Sequence, residues 1–205
     1  MNATGVVLMG LMAALLTATP VLAHEAHLHT PAGQVQAMAR VSVPDVPLDT
    51  QAGRRITLPD LVGDRIVVID FVYTSCTTFC PVASSIMDRV RDRLGERLGR
   101  DVVLVSITVD PVRDTPQRLA AYASRFVSSE SWHWLTGDKR NVDAVLKGFG
   151  AYSPNFEDHP ALVLVGHPRS AVWTRLNGLP DPDLILSQAG LVAQTVAERT
   201  KRGVR

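Results

Sequence analysis

The chain has little of what marks several common functional classes. Its 205 residues include only two cysteines, aromatic residues make up 5% of it, and its formal net charge is +1. A charge so near zero, without any block of lysine and arginine, gives no sustained attraction to a phosphate backbone, so we exclude nucleic acid as a partner. Hydrophobic residues make up 46% and charged residues 20% of the chain, which excludes general disorder and predicts one globular domain.

Charge is also absent from residues 1–23, which run apolar from Gly5 to Leu16 and end in Pro20-Val21-Leu22-Ala23. This composition predicts a secretory signal peptide over these residues, with cleavage after Ala23. An uncleaved inner-membrane anchor is the alternative, because the apolar stretch approaches the ~20 residues that span a bilayer. Both interpretations put the rest of the chain in the periplasm or another extracytoplasmic compartment.

Residues 24–40 are predicted to be a flexible segment, with His24, His27 and His29 at its start. A free amino terminus beside imidazoles can collect Cu(II) or Zn(II), so an accessory metal-binding arm is one hypothesis. A flexible polar tail without a defined site is the other.

Hydrophobic periodicity predicts an α/β fold for residues 41–199, followed by a basic tail over residues 200–205. The β-branched run Ile66–Val72 lacks alternation, which indicates a strand covered on both faces. A helix over about 82–98 and a second buried strand over 102–109 follow it. These three elements predict a right-handed parallel βαβ unit.

The remaining chain continues the alternation of strands and helices. In order, it predicts a helix from Thr115-Pro116, a short strand over 132–135, a helix after Asp138, a hairpin of strands over 161–165 and 171–176 around an exposed His167, and a last helix from Asp181-Pro182. We therefore predict a central mixed β-sheet flanked by helices.

Both cysteines stand in the segment Cys76-Thr77-Thr78-Phe79-Cys80-Pro81, shortly after the first predicted strand. A disulfide between them would close too short a loop to remove much unfolded-chain entropy, so functional thiols are favoured over a structural disulfide. The segment leaves the carboxyl end of a strand and enters a helix, whose unpaired N–H groups and dipole stabilise a thiolate. The pair therefore predicts redox or metal chemistry.

A metal site would need a further ligand. Two cysteines cannot complete a closed zinc or iron–sulfur site, and histidine is the obvious additional donor for a soft metal. Of the six histidines, His159 stands immediately before the strand predicted over 161–165. If that strand runs antiparallel to the first one, His159 reaches the same edge of the sheet as the cysteines. His133, between two tryptophans, is predicted to be a packed strand residue instead.

Three segments resemble successive signatures of the Sco/SenC copper chaperones. They are FVYTSCTTFCP over residues 71–81, TVDPVRDTP over residues 108–116, and Asp158-His159 before an apolar strand. The resemblance runs from about Val41 to Thr195, and it implies a thioredoxin-like fold.

The resemblance also implies copper, as Cu(I) or Cu(II), with Cys76, Cys80 and His159 as its ligands. Members of the family deliver copper to the dinuclear centre of cytochrome c oxidase, or reduce its cysteines. The implied partners are therefore a copper-accepting protein, cytochrome c oxidase subunit II, and a periplasmic copper donor. Contact with a membrane is expected only through an uncleaved amino-terminal segment or through the acceptor.

An enzyme is the alternative class. A thiol-disulfide oxidoreductase or thiol peroxidase of thioredoxin-like fold could use Cys76 and Cys80. The redox motif of thioredoxin has two residues between its cysteines and this chain has three, which favours copper binding. Reductase activity stays compatible with it, because thiols that release copper also exchange disulfides.

Asp110 has two interpretations. It lies beside the metal ligands or docks a partner, or it only starts the turn that contains Pro111. Arg113 and Asp114, which follow it, are predicted to be solvated.

Overall fold

The computed structural model of the chain describes Met1 and residues 35–37, 41, 43–126, 129–168 and 171–203. Apart from Met1, the predicted signal peptide lies outside the described residues, as do His24, His27 and His29. Among the described residues, no helix is long and apolar enough to cross a bilayer. The interpretations of the amino-terminal segment therefore stay predictions.

Strands and helices alternate along most of the described chain. The strands are β1 (Val35–Ala37), β2 (Pro47–Thr50), β3 (Arg55–Thr57), β4 (Ile66–Val72), β5 (Val102–Thr108), β6 (Trp132–Thr136), β7 (Leu162–His167) and β8 (Val172–Asn177). The helices are α1 (Leu58–Val62), α2 (Cys80–Leu94), α3 (Pro116–Ala123), α4 (Lys139–Gly148) and α5 (Pro182–Gly203), with 3₁₀ turns at Gly95–Arg97 and Phe156–Asp158.

These strands form one mixed sheet in the order β1-β8-β7-β4-β5-β6-β2-β3. β4 and β5 pair in parallel along their whole length, from Ile66 opposite Val102 to Val72 opposite Thr108. All their residues are buried, because α1 and α4 pack on one face of the sheet and α2, α3 and α5 pack on the other. The predicted βαβ unit and the mixed sheet flanked by helices are confirmed.

The strand after His159 runs in the direction that the prediction required. β7 pairs antiparallel with β4, with Asp70 opposite Val163, so the start of β7 lies beside the carboxyl end of β4. β7 and β8 form the predicted hairpin. However, His167 is the last residue of β7 and is only 5% exposed. The prediction of an exposed turn residue is wrong because β7 continues beyond its apolar run.

Several boundaries differ from the predictions. Val35–Ala37 pair with β8 at the edge of the sheet, although this stretch belongs to the segment predicted to be flexible. α5 continues to Gly203, so residues 200–203 are helical rather than a tail. α2 begins at Cys80 and leaves Val82 exposed. The β2–β3 hairpin was not predicted, because strands of four and three residues carry too short a hydrophobic pattern.

Candidate metal centre

The two cysteines lie at the junction between β4 and α2. Cys76 is in the connecting loop, where its N–H donates to the carbonyl of Tyr73 at 3.1 Å, and Cys80 is the first residue of the helix. The N-cap residue, Phe79, has no side-chain acceptor; the N–H of Cys80 donates to Cys76 Sγ at 3.2 Å instead. The sulfur of Cys76 therefore satisfies part of the unpaired backbone at the start of the helix.

The two thiols differ in how readily they lose a proton. Burial raises the pKa of Cys76, but hydrogen bonds from the Cys80 thiol and from the backbone of Cys80, Thr78 and Phe79 more than offset it and lower the pKa to about 7. Burial and the bond to Cys76 raise the pKa of Cys80. Both cysteines are free, so above neutral pH the pair carries a thiolate on Cys76 and keeps a proton on Cys80.

His159 follows the 3₁₀ turn Phe156–Asp158 and is half-buried. Its Nδ1 lies 2.8 Å from the carbonyl oxygen of Phe156. Burial lowers the pKa of the imidazole, while hydrogen bonds to the backbone of Phe156 and Phe71 oppose that change. A neutral ring whose Nδ1–H donates to Phe156 keeps the lone pair on Nε2, which is the form that binds a metal.

Cys76 and His159 line the same cavity, which has a volume of about 670 Å³. Tyr73 and Phe79 contribute to its walls. Cys80 does not line the cavity and is 1% exposed. The fold therefore brings two of the three predicted ligands to one cavity, and the third is hydrogen-bonded to one of them.

The three side chains are not assembled around a single point. Among the described residues, no group of three or more His, Cys, Asp or Glu side chains is arranged to hold a metal ion. Two thiols and an imidazole are nevertheless the donors that a soft metal of low coordination number takes. The donor chemistry fits such a metal, and closing the three ligands on one ion requires side-chain movement.

Asp110 is buried at the end of β5, where it pairs with Arg113 Nη1 at 2.9 Å. Its carbonyl accepts hydrogen bonds from the N–H groups of Arg113 and Asp114 at 3.1 and 2.9 Å. Asp110 therefore starts the turn that contains Pro111, as one of its two interpretations predicted. It lines a second cavity, of about 280 Å³, rather than the cavity of Cys76 and His159.

Asp114 is the clearest error of the sequence interpretation. It was predicted to be solvated, but it is 1% exposed and its carboxylate accepts hydrogen bonds from Thr74 and Thr108. A signal was available, because Asp114 follows a buried strand at the same sheet edge that the cysteine loop leaves. His133 behaves as predicted: it is half-buried in β6, and burial with the charges of Arg54 and Arg65 lowers its pKa to about 4.

Sequence reasoning also missed two aromatic residues of the site. The rings of Tyr73 and Phe156 meet edge to face with centroids 5.1 Å apart, and Tyr73 meets the imidazole of His159 in the same way at 5.8 Å. Tyr73 directly follows β4 and Phe156 lies three residues before His159, so both stand next to predicted ligands. Their contact with each other depends on the tertiary fold.

The sheet and the thiol pair at the start of α2 define a thioredoxin-like protein. The chain belongs to the SCO1/SenC family, whose model matches residues 38–188. The resemblance found in the sequence is thereby confirmed at the level of the family.

Individual relatives agree with this assignment. The chain is 30% identical to the SCO1 protein homolog of Bacillus subtilis over 164 residues, which cover 74% of this chain and 83% of the relative. The structure of BsSco, described as a member of the Sco family of cytochrome c oxidase assembly proteins with a disulfide switch, matches with a TM-score of 0.65 and 26% identity over 76% of this chain and 95% of that one. Copper-bound Bradyrhizobium japonicum ScoI matches with a TM-score of 0.62 and 25% identity over 75% and 99%.

Proposed function

We propose that the chain is an exported copper metallochaperone that binds Cu(I) and Cu(II) through Cys76, Cys80 and His159. The observation that carries the proposal is that Cys76 and His159 line one cavity while Cys80 is hydrogen-bonded to Cys76. The copper-bound structure of the related ScoI supports the choice of metal.

This donor set suits both oxidation states of copper. Two thiolates and one imidazole hold Cu(I) with three ligands, and Cu(II) takes the same ligands with an added oxygen donor. The thiolate character of Cys76 near neutral pH removes part of the cost of deprotonating a ligand. The neutral imidazole of His159 needs no deprotonation at all.

Low coordination at an open cavity also suits transfer. A three-coordinate ion accepts a ligand from a partner before it releases its own, so copper moves by stepwise ligand exchange. Because BsSco belongs to a family of cytochrome c oxidase assembly proteins, we propose that the acceptor is cytochrome c oxidase subunit II, whose copper site receives the metal or whose thiols are kept reduced. A periplasmic donor would load the chain, and the predicted signal peptide supports this extracytoplasmic location.

Anaerobic titration of the reduced chain with Cu(I) against a chromophoric competitor tests the proposal. We expect one tightly bound Cu(I) per chain, lost in the double variant Cys76→Ser/Cys80→Ser and weakened in His159→Ala. His133→Ala is the matched control, since His133 is also half-buried but lines a different cavity. A wild-type chain that cannot compete for Cu(I) would overturn the proposal, and wild-type affinity in His159→Ala would remove that residue from the site.

The proposed accessory role of His24, His27 and His29 has a separate test. A chain that begins at Thr30 should bind less Cu(II) if these histidines form a collecting arm. Unchanged Cu(II) stoichiometry and affinity would leave them as a polar tail.

A second candidate function is thiol-disulfide exchange by the same pair. The asymmetry between Cys76, whose pKa is about 7, and Cys80, whose pKa is raised, is the pattern of an attacking thiolate and a buried partner. Copper-free chain would then reduce a model disulfide catalytically with an external thiol reductant. Turnover without Cu(I) binding would make the chain an oxidoreductase rather than a chaperone.

A further inference from the structure

Residues 110–114, which we call the bridging loop, connect β5 to α3 and touch both sides of the cavity. One side, the thiol side, is the loop that carries Cys76 and leads to Cys80. The other, the imidazole side, is the turn that carries His159.

The contact with the thiol side is made by the buried carboxylate of Asp114. Thr74, two residues before Cys76, donates its N–H to Asp114 Oδ2 at 3.1 Å and its hydroxyl to Oδ1. Thr108 at the end of β5 donates its hydroxyl to Oδ2 at 2.6 Å. A buried carboxylate that accepts bonds on both oxygens is held in one position. Asp114 therefore ties the start of the cysteine loop to the end of β5.

The contact with the imidazole side is made by Arg113. Its guanidinium carbon lies 5.2 Å from the centroid of the Phe156 ring, and its Nη1 pairs with Asp110 at 2.9 Å, so the cation is anchored within its own loop. The carbonyl of Phe156 is the group that lies 2.8 Å from His159 Nδ1. Arg113 therefore packs on the residue that orients the imidazole.

The two sides also meet directly, through the ring of Tyr73 and through a hydrogen bond between the imidazole of His159 and the backbone of Phe71 in β4. Tyr73 contacts Phe156 and His159 edge to face at 5.1 and 5.8 Å. Ring contacts of this kind favour an edge-to-face geometry and contribute modest attraction, whereas hydrogen bonds to a buried carboxylate are shorter and stronger. The bridging loop adds hydrogen bonds on the thiol side, through Asp114, and a cation–ring contact on the imidazole side, through Arg113.

We propose that the bridging loop sets the separation between the thiol pair and the imidazole, with Asp114 and Arg113 as positioning residues that do not touch the metal. This inference rests on the proposed copper function. If the link on either side is loosened, the affinity for the metal falls, because part of the binding free energy then goes into bringing the ligands together.

The thiol side is tested with Asp114→Asn and Thr74→Val. Thr74→Val removes the hydroxyl bond to the carboxylate and Asp114→Asn replaces one acceptor oxygen by a donor. Loss of supporting bonds around metal ligands typically changes affinity by about 10- to 100-fold. We expect a loss of that size in Cu(I) affinity and a shifted Cu(II)–thiolate absorption band, measured well below the unfolding temperature. Thr74→Ser, which keeps the hydroxyl, should restore both. Thr115→Val is the matched control, since the hydroxyl of Thr115 accepts the N–H of Arg118 at 3.3 Å as the cap of α3 and is not one of the groups that bond Asp114 to Thr74.

The imidazole side is tested with Arg113→Met, which keeps a flexible stem and removes the cation from Phe156. We expect a several-fold weaker Cu(I) affinity with an unchanged rate of Cys76 alkylation by iodoacetamide at pH 7. Arg125→Met is the control, because Arg125 lies in the same way over the ring of Tyr122, at 5.1 Å. It should leave affinity and alkylation unchanged.

The copper-free readouts separate this inference from the proposed function. If the wild-type chain fails to bind copper, the bridging role is judged by Cys76 alkylation, which Thr74→Val should change at least about threefold and Thr115→Val should not. Thr74→Val and Asp114→Asn could instead lower stability as Thr115→Val does, while the Cu(I) affinity, the absorption band and the rate of Cys76 alkylation stay at wild-type values. The bridging loop would then have a structural role only. That outcome overturns the proposal.

Discussion

The thiol side and the imidazole side of the cavity are built in different ways. Cys76 and Cys80 are neighbours in the chain and are joined by a hydrogen bond at the start of α2, so their geometry is local. His159 reaches the cavity only because β7 pairs antiparallel with β4. The thiol side therefore depends on one loop and one helix, while the imidazole side depends on the register of the sheet.

Exchanging single ligands should expose this difference most strongly. We expect Cys80→Ser to weaken Cu(I) binding roughly a thousandfold, on the order of 4 kcal/mol, because a hard hydroxyl replaces a soft thiolate that the metal prefers. His159→Ala should cost about 10- to 100-fold, because both sulfurs remain and water can take the vacant position. Competition titration under reducing, anaerobic conditions measures both variants. Equal losses in the two variants would mean that the imidazole side contributes as much as the thiol side.

A second prediction concerns the strands that join the two sides. Asp70 stands in β4 opposite Val163 of β7. Burial raises its pKa from 3.8 to about 7, although a hydrogen bond from Ser106 at 2.5 Å acts against the change. Between these values the folded state holds a proton that the unfolded state releases. The free energy of unfolding should therefore fall by up to roughly 4 kcal/mol as pH rises from about 4 to about 7, and then level off.

Urea unfolding of the wild-type chain and of Asp70→Asn at several pH values isolates this contribution. The asparagine cannot ionise, so the stability of wild type relative to the variant should decrease between about pH 4 and pH 7. Asp92→Asn is the control, because Asp92 is exposed on α2 with a side chain that is 80% accessible. A difference between wild type and Asp70→Asn that does not change with pH would contradict the protonated state of Asp70.

Asp70 and Asp114 show which features of a buried aspartate can be predicted from the sequence. Asp70 lies in the run predicted to be a strand covered on both faces and Asp114 was predicted to be solvated, but both are buried, at 1% exposed. Asp70 keeps one oxygen without a hydrogen-bond partner among the described residues, while both oxygens of Asp114 accept bonds. The apolar run around Asp70 predicted its strand, but the partners of either carboxylate come from other elements.

The same limit separates the two sides of the site. The β4–α2–β5 unit and the cysteine loop could be predicted because their hydrophobic patterns and turn residues are local. The place of His159 required a strand direction that periodicity does not encode. It could therefore be predicted only on the condition that β7 runs antiparallel to β4, or from the resemblance to the Sco/SenC family. The place of Asp114 after a buried strand was a signal for burial, but its partners Thr74 and Thr108 come from different parts of the chain and are brought to one carboxylate only by the tertiary fold.

A third prediction compares the two thiols within the thiol side. Alkylation of Cys76 by iodoacetamide should rise about tenfold per pH unit up to about pH 7 and then level off, since its pKa is lowered to that value and only the thiolate reacts. Cys80 should stay slow over the same range, because its pKa is raised and its side chain is buried. Mass spectrometry of peptides from copper-free, reduced chain measures each site. In urea the two cysteines should become alike, with a midpoint near the ordinary value of about 8.5.

The smallest expected effect lies on the imidazole side, in the turn that carries His159. Asn155 accepts the N–H of Glu157 at 3.3 Å and donates to Asp158 Oδ2 at 2.8 Å, both at exposed positions. Because water can replace exposed bonds, Asn155→Ala should cost about 1 kcal/mol of stability or less. It should also weaken Cu(I) binding by less than about tenfold, which is a smaller effect than that of Thr74→Val, whose bonds reach a buried carboxylate. A larger loss of affinity in Asn155→Ala than in Thr74→Val would reverse the comparison and make the exposed turn, rather than the bridging loop, the element that positions the imidazole.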